Sequence, residues 1–438
     1  MNTPIFDFVS RYADGDPARL HMPGHKGRGP LGAERFDITE IPGADDLYHP
    51  NGIIAESEGS AAQLFGAACT LYSTEGASQC IRAMIHLAAS RVRDGNPLFF
   101  AARNAHKAFL YAAALVDAEI EWLWPEGPAD LCSCPITPAQ LEQVLTQAKR
   151  TPAAVYVTSP DYLGHLLPIK ELADVCRRHN TLLLVDNAHG AYLRFLPRSL
   201  HPMDMGADLC CDSAHKTLPV LTGGAYLHMS ASCANLFAPS VKEVMALYGS
   251  TSPSYLTLAS LDLCNDYLET KISADLANLL PAVERAKADL IANGWQLVGD
   301  EPLKLILRCP GTQVADALAK QNVFCEYADG EHLVLMLSPA TDPGDLARLI
   351  SALGENRWGV PARAQLPMLC PKQAMFPRQA IFAPQEQIPV EQAVGRVCAA
   401  PTVSCPPAVP VVVSGEVVDE AALQWLTHYG METICVIK

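Results

Sequence analysis

The feature that most constrains the fold is a series of short apolar runs, between about residues 65 and 230, that alternate with segments of helical periodicity. Examples are the runs 153–158, 181–185 and 207–211, which show little alternation between apolar and polar residues. A continuous apolar run of this length is typical of a strand that is buried on both faces of a parallel sheet. The order of the elements therefore predicts βαβ units and a mostly parallel sheet covered by helices.

The pattern changes after about residue 270, which indicates further domains in this chain of 438 residues. A chain of that length exceeds what one compact core usually contains. A helical segment at 272–293 and apolar runs at 303–307 and 332–337 predict a smaller α+β domain, and a proline-rich stretch follows. We predict an N-terminal arm at 1–40, a large domain at 41–270, a small α+β domain at 271–360 and a C-terminal domain at 361–438.

Composition argues against several classes of partner. The formal net charge is -15 and there is no long basic run, so nucleic acid and anionic membranes are poor candidates. No apolar stretch is long enough to predict a membrane span, and the N-terminus lacks the apolar core of a secretory signal. The 15 cysteines are scattered without the spacing of a zinc site. We expect free thiols, no metal and a cytoplasmic location.

Two residues at predicted strand ends indicate a site for pyridoxal 5′-phosphate (PLP). Lys216 follows the run 207–211, and a lysine that forms a Schiff base must be held by a rigid element and partly desolvated. Asp186 ends the run 181–185, at the edge where open α/β sheets bind ligands. PLP needs a buried carboxylate against its ring nitrogen, because the ring withdraws electrons only while that nitrogen is protonated. Taken singly, a surface lysine and a helix-capping aspartate explain the same residues.

Two further segments follow predicted strands at the same edge. Ala77 and Ser78 begin a predicted helix after a loop of small residues, and free N–H groups at a helix N-terminus bind phosphate. A plain helix cap is the alternative for both residues. His106 follows the run 97–101, where an imidazole can lie flat on a pyridine ring, although a solvated capping histidine fits the local sequence equally well.

These segments belong to a longer series that resembles the ornithine/lysine/arginine decarboxylase family of fold-type-I PLP enzymes. Eight motifs match in order along nearly the whole chain, which makes the resemblance specific. It implies an α/β large domain with the aspartate-aminotransferase fold, a mostly parallel central sheet and smaller α+β domains at the C-terminus. The motifs lie at 21–27, 37–40, 43–47, 76–78, 103–107, 186–191, 213–217 and 251–255.

The resemblance also implies roles for individual residues. Lys216 matches the Schiff-base lysine, Asp186 the partner of the ring nitrogen, and His106 the residue stacked on the ring. Ala188 would lie beneath the ring, and His189 would either support Asp186 or lie close to the substrate carboxylate. The implied catalytic residues are Lys216, His215, His106 and Asp186.

The phosphate of the cofactor would be held by two groups of residues. One group comes from the same chain and comprises Ala77, Ser78, Ser213 and His215. The other is Thr251 and Ser252, which would approach from a neighbouring subunit. That arrangement implies a homodimer with shared active sites.

The implied reaction is the α-decarboxylation of lysine, arginine or ornithine, which releases carbon dioxide and an amine. Transamination, aldol cleavage or elimination on the same fold is the first alternative, because fold alone does not set the reaction. A non-catalytic regulator is the second, and retention of Lys216, Asp186 and His106 argues against it. The chain resembles the short family members without an N-terminal wing domain. One departure, Gln379 in place of the usual glutamate, weakens the case for a dibasic substrate, since a buried cation needs a paired anion.

Overall fold

The central element of the computed structural model, which describes residues 1–126, 130–400 and 409–438, is a seven-stranded sheet. Its spatial order is β1-β7-β6-β5-β4-β2-β3. Strand β7 runs antiparallel to both of its neighbours, and all other pairs are parallel, which confirms the predicted mostly parallel sheet. The strands are β1 (Cys69–Ser73), β2 (Leu98–Ala102), β3 (Glu119–Leu123), β4 (Ala154–Thr158), β5 (Leu182–Asp186), β6 (Leu209–Asp212) and β7 (Ala225–Met229).

The central strands are largely apolar because helices cover both faces of the sheet. In β2, Phe99 packs into one hydrophobic core and its neighbour Phe100 packs into a second. Tyr156 and Val155 of β4 divide between the same two cores. Successive side chains point to opposite faces of a strand, so a strand that lies between two cores is apolar on both faces.

Eleven helices belong to the first part of the chain. Helix α1 buries Ile5 and Val9, as its amphipathic pattern predicts, and the Asp262 carboxylate accepts the N–H groups of Ile5 and Phe6 at 2.8 and 3.0 Å. The helices are α1 (Pro4–Asp14), α2 (Ile53–Phe65), α3 (Ala77–Ala89), α4 (Lys107–Leu115), α5 (Pro138–Gln147), α6 (Ile169–Arg178), α7 (Ala214–Thr217), α8 (Ala231–Phe237), α9 (Val241–Leu247), α10 (Tyr255–Thr270) and α11 (Ile272–Ala292), with 3₁₀ turns at Glu34–Phe36 and Ala191–Phe195.

The second part of the chain forms a four-stranded antiparallel sheet with the order β10-β11-β9-β8. The apolar runs that predict α+β structure here correspond to β9 and β11. The elements are β8 (Gln296–Val298), β9 (Lys304–Arg308), β10 (Tyr327–Ala328), β11 (His332–Met336), α12 (Gly311–Ala319) and α13 (Pro343–Leu353).

The last part contains a three-stranded antiparallel sheet. Its sequence predicts a strand at 409–413 and a helix at 390–397, and both predictions are wrong. The range 409–413 is not a strand: the carbonyl of Val411 accepts from Arg103 and the N–H of Val413 donates to Glu416, so these groups do not join a ladder. The helix expected at 390–397 is a 3₁₀ turn at Val390–Gln392, and Gly395 follows with a φ of 83°. The elements are α14 (Pro377–Phe382), β12 (Gln385–Pro389), β13 (Cys398–Ala400), α15 (Glu420–His428) and β14 (Thr433–Ile437).

The predicted domain boundaries stay predictions. Within the described residues, no helix has both the length and the apolarity needed to cross a bilayer.

A buried ion pair joins the last part of the chain to the central sheet. Arg103, one residue beyond β2, donates from Nη2 to Glu416 Oε2 and to the carbonyl oxygen of Val411, both at 2.9 Å. Its guanidinium carbon lies 4.7 Å from the ring centre of Trp122 and 5.0 Å from that of Trp124. The side chains of Arg103 and Glu416 are 6% and 1% exposed. Burial raises the pKa of the Glu416 carboxyl, and the charge of Arg103 opposes that rise.

We expect Arg103→Met to lower the free energy of unfolding by about 3–5 kcal/mol, because it leaves a buried carboxylate without its partner. The control is Arg150→Met, which removes an exposed pair with Glu119 (2.7 Å) and should cost less than about 1 kcal/mol. Urea unfolding of the apoprotein, followed by circular dichroism, measures both. Equal losses in the two variants would contradict the importance of the buried pair.

Candidate active site

A cavity opens where three parallel strands of the central sheet end. Thr158 is the last residue of β4 and pairs with Asp186, the last residue of β5, and Asp186 pairs in turn with Cys211 of β6. Lys216 lies in the single turn of α7 that follows β6. The residues that line the cavity are Asn104, His106, Cys132, Thr158, Pro160, Tyr162, Asp186, Ala188, His189, Lys216 and Val409.

Asp186 is held in a fixed position by two donors. The hydroxyl of Tyr156 donates to Oδ2 at 2.9 Å, and the backbone N–H of Ala188 donates to Oδ1 at 3.1 Å. The aspartate is buried, and so is Tyr156, whose pKa burial raises well above its usual value. The phenol is therefore a permanent donor, and the carboxylate keeps one orientation toward the cavity.

Lys216 contacts His189 in this cavity. The Nζ atom lies 2.9 Å from His189 Nε2, and the ring of His189 packs edge-on against Tyr162 with 5.0 Å between the ring centres. Burial, followed by the charges of Lys216 and Lys304, lowers the pKa of His189 well below its usual value. The imidazole is neutral at neutral pH. The two roles that the sequence suggests for His189 stay predictions.

His106 begins helix α4 as its N-terminal cap. Its Nδ1 accepts the backbone N–H of Ala108 at 3.1 Å, so the ring is fixed by the helix that it starts. Burial lowers the pKa of His106 to about 4, against the opposing charge of Asp186. A neutral imidazole thus lines the cavity throughout the neutral pH range.

The predicted phosphate residues lie next to the Lys216 turn without lining the cavity itself. The N–H of Gly76, which precedes α3, donates to Gly223 O at 2.7 Å, and His215 Nδ1 lies 3.0 Å from Gly224 O. These contacts bring Ala77 and Ser78 to the same strip of chain as His215. Ser213 is buried, and its carbonyl accepts the N–H of Lys216 at 3.0 Å.

Gly223 is required for that arrangement. Its φ is 97°, and a Cβ atom there would lie 2.8 Å from the carbonyl oxygen of Thr74. Any other residue would push the two loops apart. Free N–H groups in the first turn of α3 have no acceptor within their own helix and are suited to an anion.

Two other groups of predicted residues lie away from the cavity in the single chain. Thr251 and Ser252 are exposed, between α9 and α10. Gln379 is exposed at the start of α14, where its Oε1 accepts the N–H of Phe376 at 3.0 Å. Gln379 thus serves as a helix cap in this chain.

A buried polar cluster lies behind the cavity and ties its walls together. Both His201 Nε2 (2.9 Å) and His228 Nε2 (3.2 Å) lie within hydrogen-bond distance of Asp212 Oδ2, while Asn187 donates to Oδ1 at 2.6 Å. Burial acts against ionisation, but the two imidazoles lower the pKa of Asp212. Asn187 follows Asp186 and Asp212 leads into the Lys216 turn, so the cluster fixes these two segments relative to each other.

Sequence reasoning did not identify Lys304 as a residue of the site. Its Nζ lies 2.9 Å from His189 Nδ1 and donates to the carbonyl oxygen of Asp161 at 2.8 Å. The available signal was a lysine inside an apolar strand, because a buried lysine requires partners.

These residues fit PLP. Asp186 offers a buried carboxylate for a protonated ring nitrogen, Lys216 an amine, and His106 a neutral ring in the same cavity. The start of α3, connected through Gly223 and Gly224 to His215, offers N–H donors for a phosphate.

Comparison with known proteins decides the family. The model described as "Orn/Lys/Arg decarboxylase, major domain" matches residues 3–298, and that of the C-terminal domain matches residues 362–432. The chain belongs to the Orn/Lys/Arg decarboxylase family. Its enzyme class is therefore a PLP-dependent carboxy-lyase, and the predicted cofactor is confirmed.

Individual relatives agree with this family. The chain is 29% identical to the arginine decarboxylase of Halalkalibacterium halodurans, over 97% of this chain and 92% of that protein. It is 28% identical to the arginine decarboxylase of Bacillus subtilis, over 97% and 93%. The crystal structure of the Francisella novicida lysine decarboxylase LdcF superposes with a TM-score of 0.80 at 17% identity, over 100% of this chain and 81% of that one. This likeness confirms the predicted fold class.

The low pKa of His106 makes the stability of the apoprotein depend on pH. Between about pH 4 and 6.5 the unfolded chain binds a proton at this imidazole and the folded chain does not, so stability falls as the pH falls. His106→Asn keeps an acceptor for the helix cap and should reduce this fall by on the order of 2 kcal/mol. Urea unfolding at a series of pH values measures it.

The control is His49→Asn on the surface. Glu243 raises the pKa of His49, so its removal should not reduce the fall in stability at low pH. The low pKa of His106 is contradicted if the stability of both variants depends on pH as that of the wild type does.

Proposed function

We propose that this chain decarboxylates a basic amino acid at Cα, with arginine as the first candidate, and releases carbon dioxide and an amine. The observation that carries the proposal is the joint position of Asp186 and Lys216 in one cavity of a chain from this family. Arginine comes first because relatives of that name match nearly the whole chain. Similar solved structures are those of lysine decarboxylases, so lysine is one alternative substrate. Ornithine is the other.

Bound PLP supplies an electron sink for the bond that breaks at Cα. Asp186 maintains that property, because a carboxylate held by Tyr156 and Ala188 stabilises a positive charge on the ring nitrogen. His106 stays neutral, and therefore does not compete for Asp186 as a second cation. Lys216 supplies the primary amine that attaches the cofactor to the protein.

Lys216 and His215 are the two candidates for the group that returns a proton to Cα, and we favour Lys216. A carbonyl oxygen can only accept, so the contact with Gly224 places the hydrogen of a neutral His215 on Nδ1. Burial lowers the pKa of His215, which favours that neutral form. Its Nε2 then carries a lone pair and has no proton to give. Lys216 can carry a proton to Cα after the carboxylate has left.

The proposal includes a homodimer with shared active sites. Thr251 and Ser252 are exposed in the single chain, as expected for residues that act on a neighbouring subunit. Large apolar side chains are also exposed, among them Leu20, Met22 and Leu247 at 95%, 66% and 68%. Burial of such side chains is a common source of association free energy.

The test of the function is release of carbon dioxide and amine from each amino acid by the holoenzyme. We expect release from arginine, and a loss of at least about 100-fold in Lys216→Ala, together with loss of the cofactor that borohydride traps on the protein. Lys170→Ala, on the exposed side of α6, is the control and should behave as wild type. Trapped cofactor without carbon dioxide from any amino acid would move the function to another PLP reaction.

A second prediction separates the ring-nitrogen role of Asp186 from its hydrogen bonds. Asp186→Asn keeps the shape but removes the charge, and should lower kcat by about 100-fold or more while cofactor still binds. Tyr156→Phe removes one donor to the same carboxylate and should cost only about tenfold. Steady-state rates with matched cofactor occupancy measure both. A kcat of Asp186→Asn within a few-fold of wild type would refute the role.

A further inference from the structure

His189 lies between two lysines, one from the turn α7 and the other from strand β9. Lys216 Nζ is 2.9 Å from Nε2, and Lys304 Nζ is 2.9 Å from Nδ1. Lys304 is the first residue of β9 in the four-stranded sheet, and it is only 3% exposed. Its ammonium also donates to the carbonyl oxygen of Asp161 at 2.8 Å.

The hydrogen-bonding capacity of the imidazole restricts the charges of the two lysines. A neutral histidine has one N–H donor and one lone pair, whereas an ammonium group can only donate. Two ammonium groups would therefore leave one ring N–H facing a donor. Because His189 between them is neutral, one of the two lysines must be unprotonated.

The surroundings favour Lys304 as the charged member. The acidic groups of Glu301, Asp161 and Glu326 act to raise the pKa of Lys304, while burial acts to lower it, and a positive charge on Lys216 would lower it further. Burial dominates and lowers the pKa of Lys304 to about 8, which still leaves most of it protonated at pH 7. A charged Lys304 donates to Nδ1 of His189. The ring hydrogen then lies on Nε2, directed at the nitrogen of Lys216.

We propose that Lys304 is a positioning residue that sets the tautomer of His189 and thereby keeps Lys216 as an unprotonated amine before the cofactor is attached. Among the described residues, the other titratable groups that line this cavity or act on this amine are His106, His215, Asp186, Cys132 and Tyr162. The two histidines are neutral at pH 7, so Lys304 is the nearby positive charge among these groups. The inference rests on the proposed role of Lys216 and does not depend on which amino acid is the substrate.

The consequence is faster attachment of the cofactor. The lone pair of Lys216 attacks the aldehyde carbon of PLP and a C=N bond forms. The aldehyde oxygen leaves as water with the two hydrogens of the amine. An ammonium group has no lone pair for this step, so the rate follows the fraction of Lys216 that is unprotonated.

The experiment measures the second-order rate of PLP attachment to the apoenzyme, by absorbance, as a function of pH. Lys304→Met preserves most of the volume and removes the charge, so we expect the midpoint of the profile to move up by about one pH unit and the rate well below the wild-type midpoint to fall about tenfold. The rate should recover at high pH. Lys304→Arg keeps the charge and should retain the wild-type midpoint. An unchanged midpoint in Lys304→Met, or an equal shift in both variants, overturns the proposal.

A measurement on the wild-type protein covers the case in which Lys304→Met does not fold. In ¹⁵N-histidine-labelled apoenzyme, NMR should show His189 protonated on Nε2 and unprotonated on Nδ1, with His189→Asn providing the assignment among the 13 histidines. The opposite tautomer overturns the proposal. Failure of the proposed role of Lys216 is distinguishable, because then Lys216→Ala would still attach PLP.

Discussion

The register of the parallel strands is the constraint on which the site depends. Hydrogen bonding between β4, β5 and β6 sets Thr158 beside Asp186 and Asp186 beside Cys211, so the groups that follow these strands emerge at one edge. Since both faces of the sheet pack into hydrophobic cores, the strand ends cannot move independently. A shift of one residue in β5 would turn Asp186 away from the cavity. Backbone hydrogen bonds between the strands thus set the positions of the residues that form the site.

Polar contacts behind the cavity fix the orientation of the side chains that the strands bring to this edge. Tyr156 fixes the Asp186 carboxylate from one side, and the cluster around Asp212 links the segment after Asp186 to the turn that carries Lys216. Each of these contacts is buried, where a hydrogen bond to a charged group contributes more than at the surface. Cofactor residues on two strands can therefore keep a constant separation without direct contact between them.

The sequence predicts those parts of the structure that local patterns determine. The parallel sheet follows from apolar runs bounded by helices, and these runs also place Lys216, Asp186 and His106 after strands, whereas their roles are what the family resemblance implies. Lys304 could not be assigned to the site in this way, because its partner His189 lies 115 residues earlier in the chain. The same holds for 409–413, an apolar run whose backbone groups bond to Arg103 and Glu416 and not to a neighbouring strand. Periodicity reports burial, but it does not report which groups accept the backbone hydrogen bonds.

The pair between Arg103 and Glu416 has a consequence for how such proteins can be recombined. Val409, which lines the cavity, comes from the same buried segment that Glu416 and Val411 anchor to Arg103. One wall of the site therefore comes from the far end of the chain, and the guanidinium of Arg103 is one of the groups that hold it. A chimaera that took its C-terminal part from a relative would inherit a working wall only if the donor also carried a carboxylate that Arg103 can bind. In this architecture a C-terminal segment should therefore be exchanged together with the residue that pairs with its charged group.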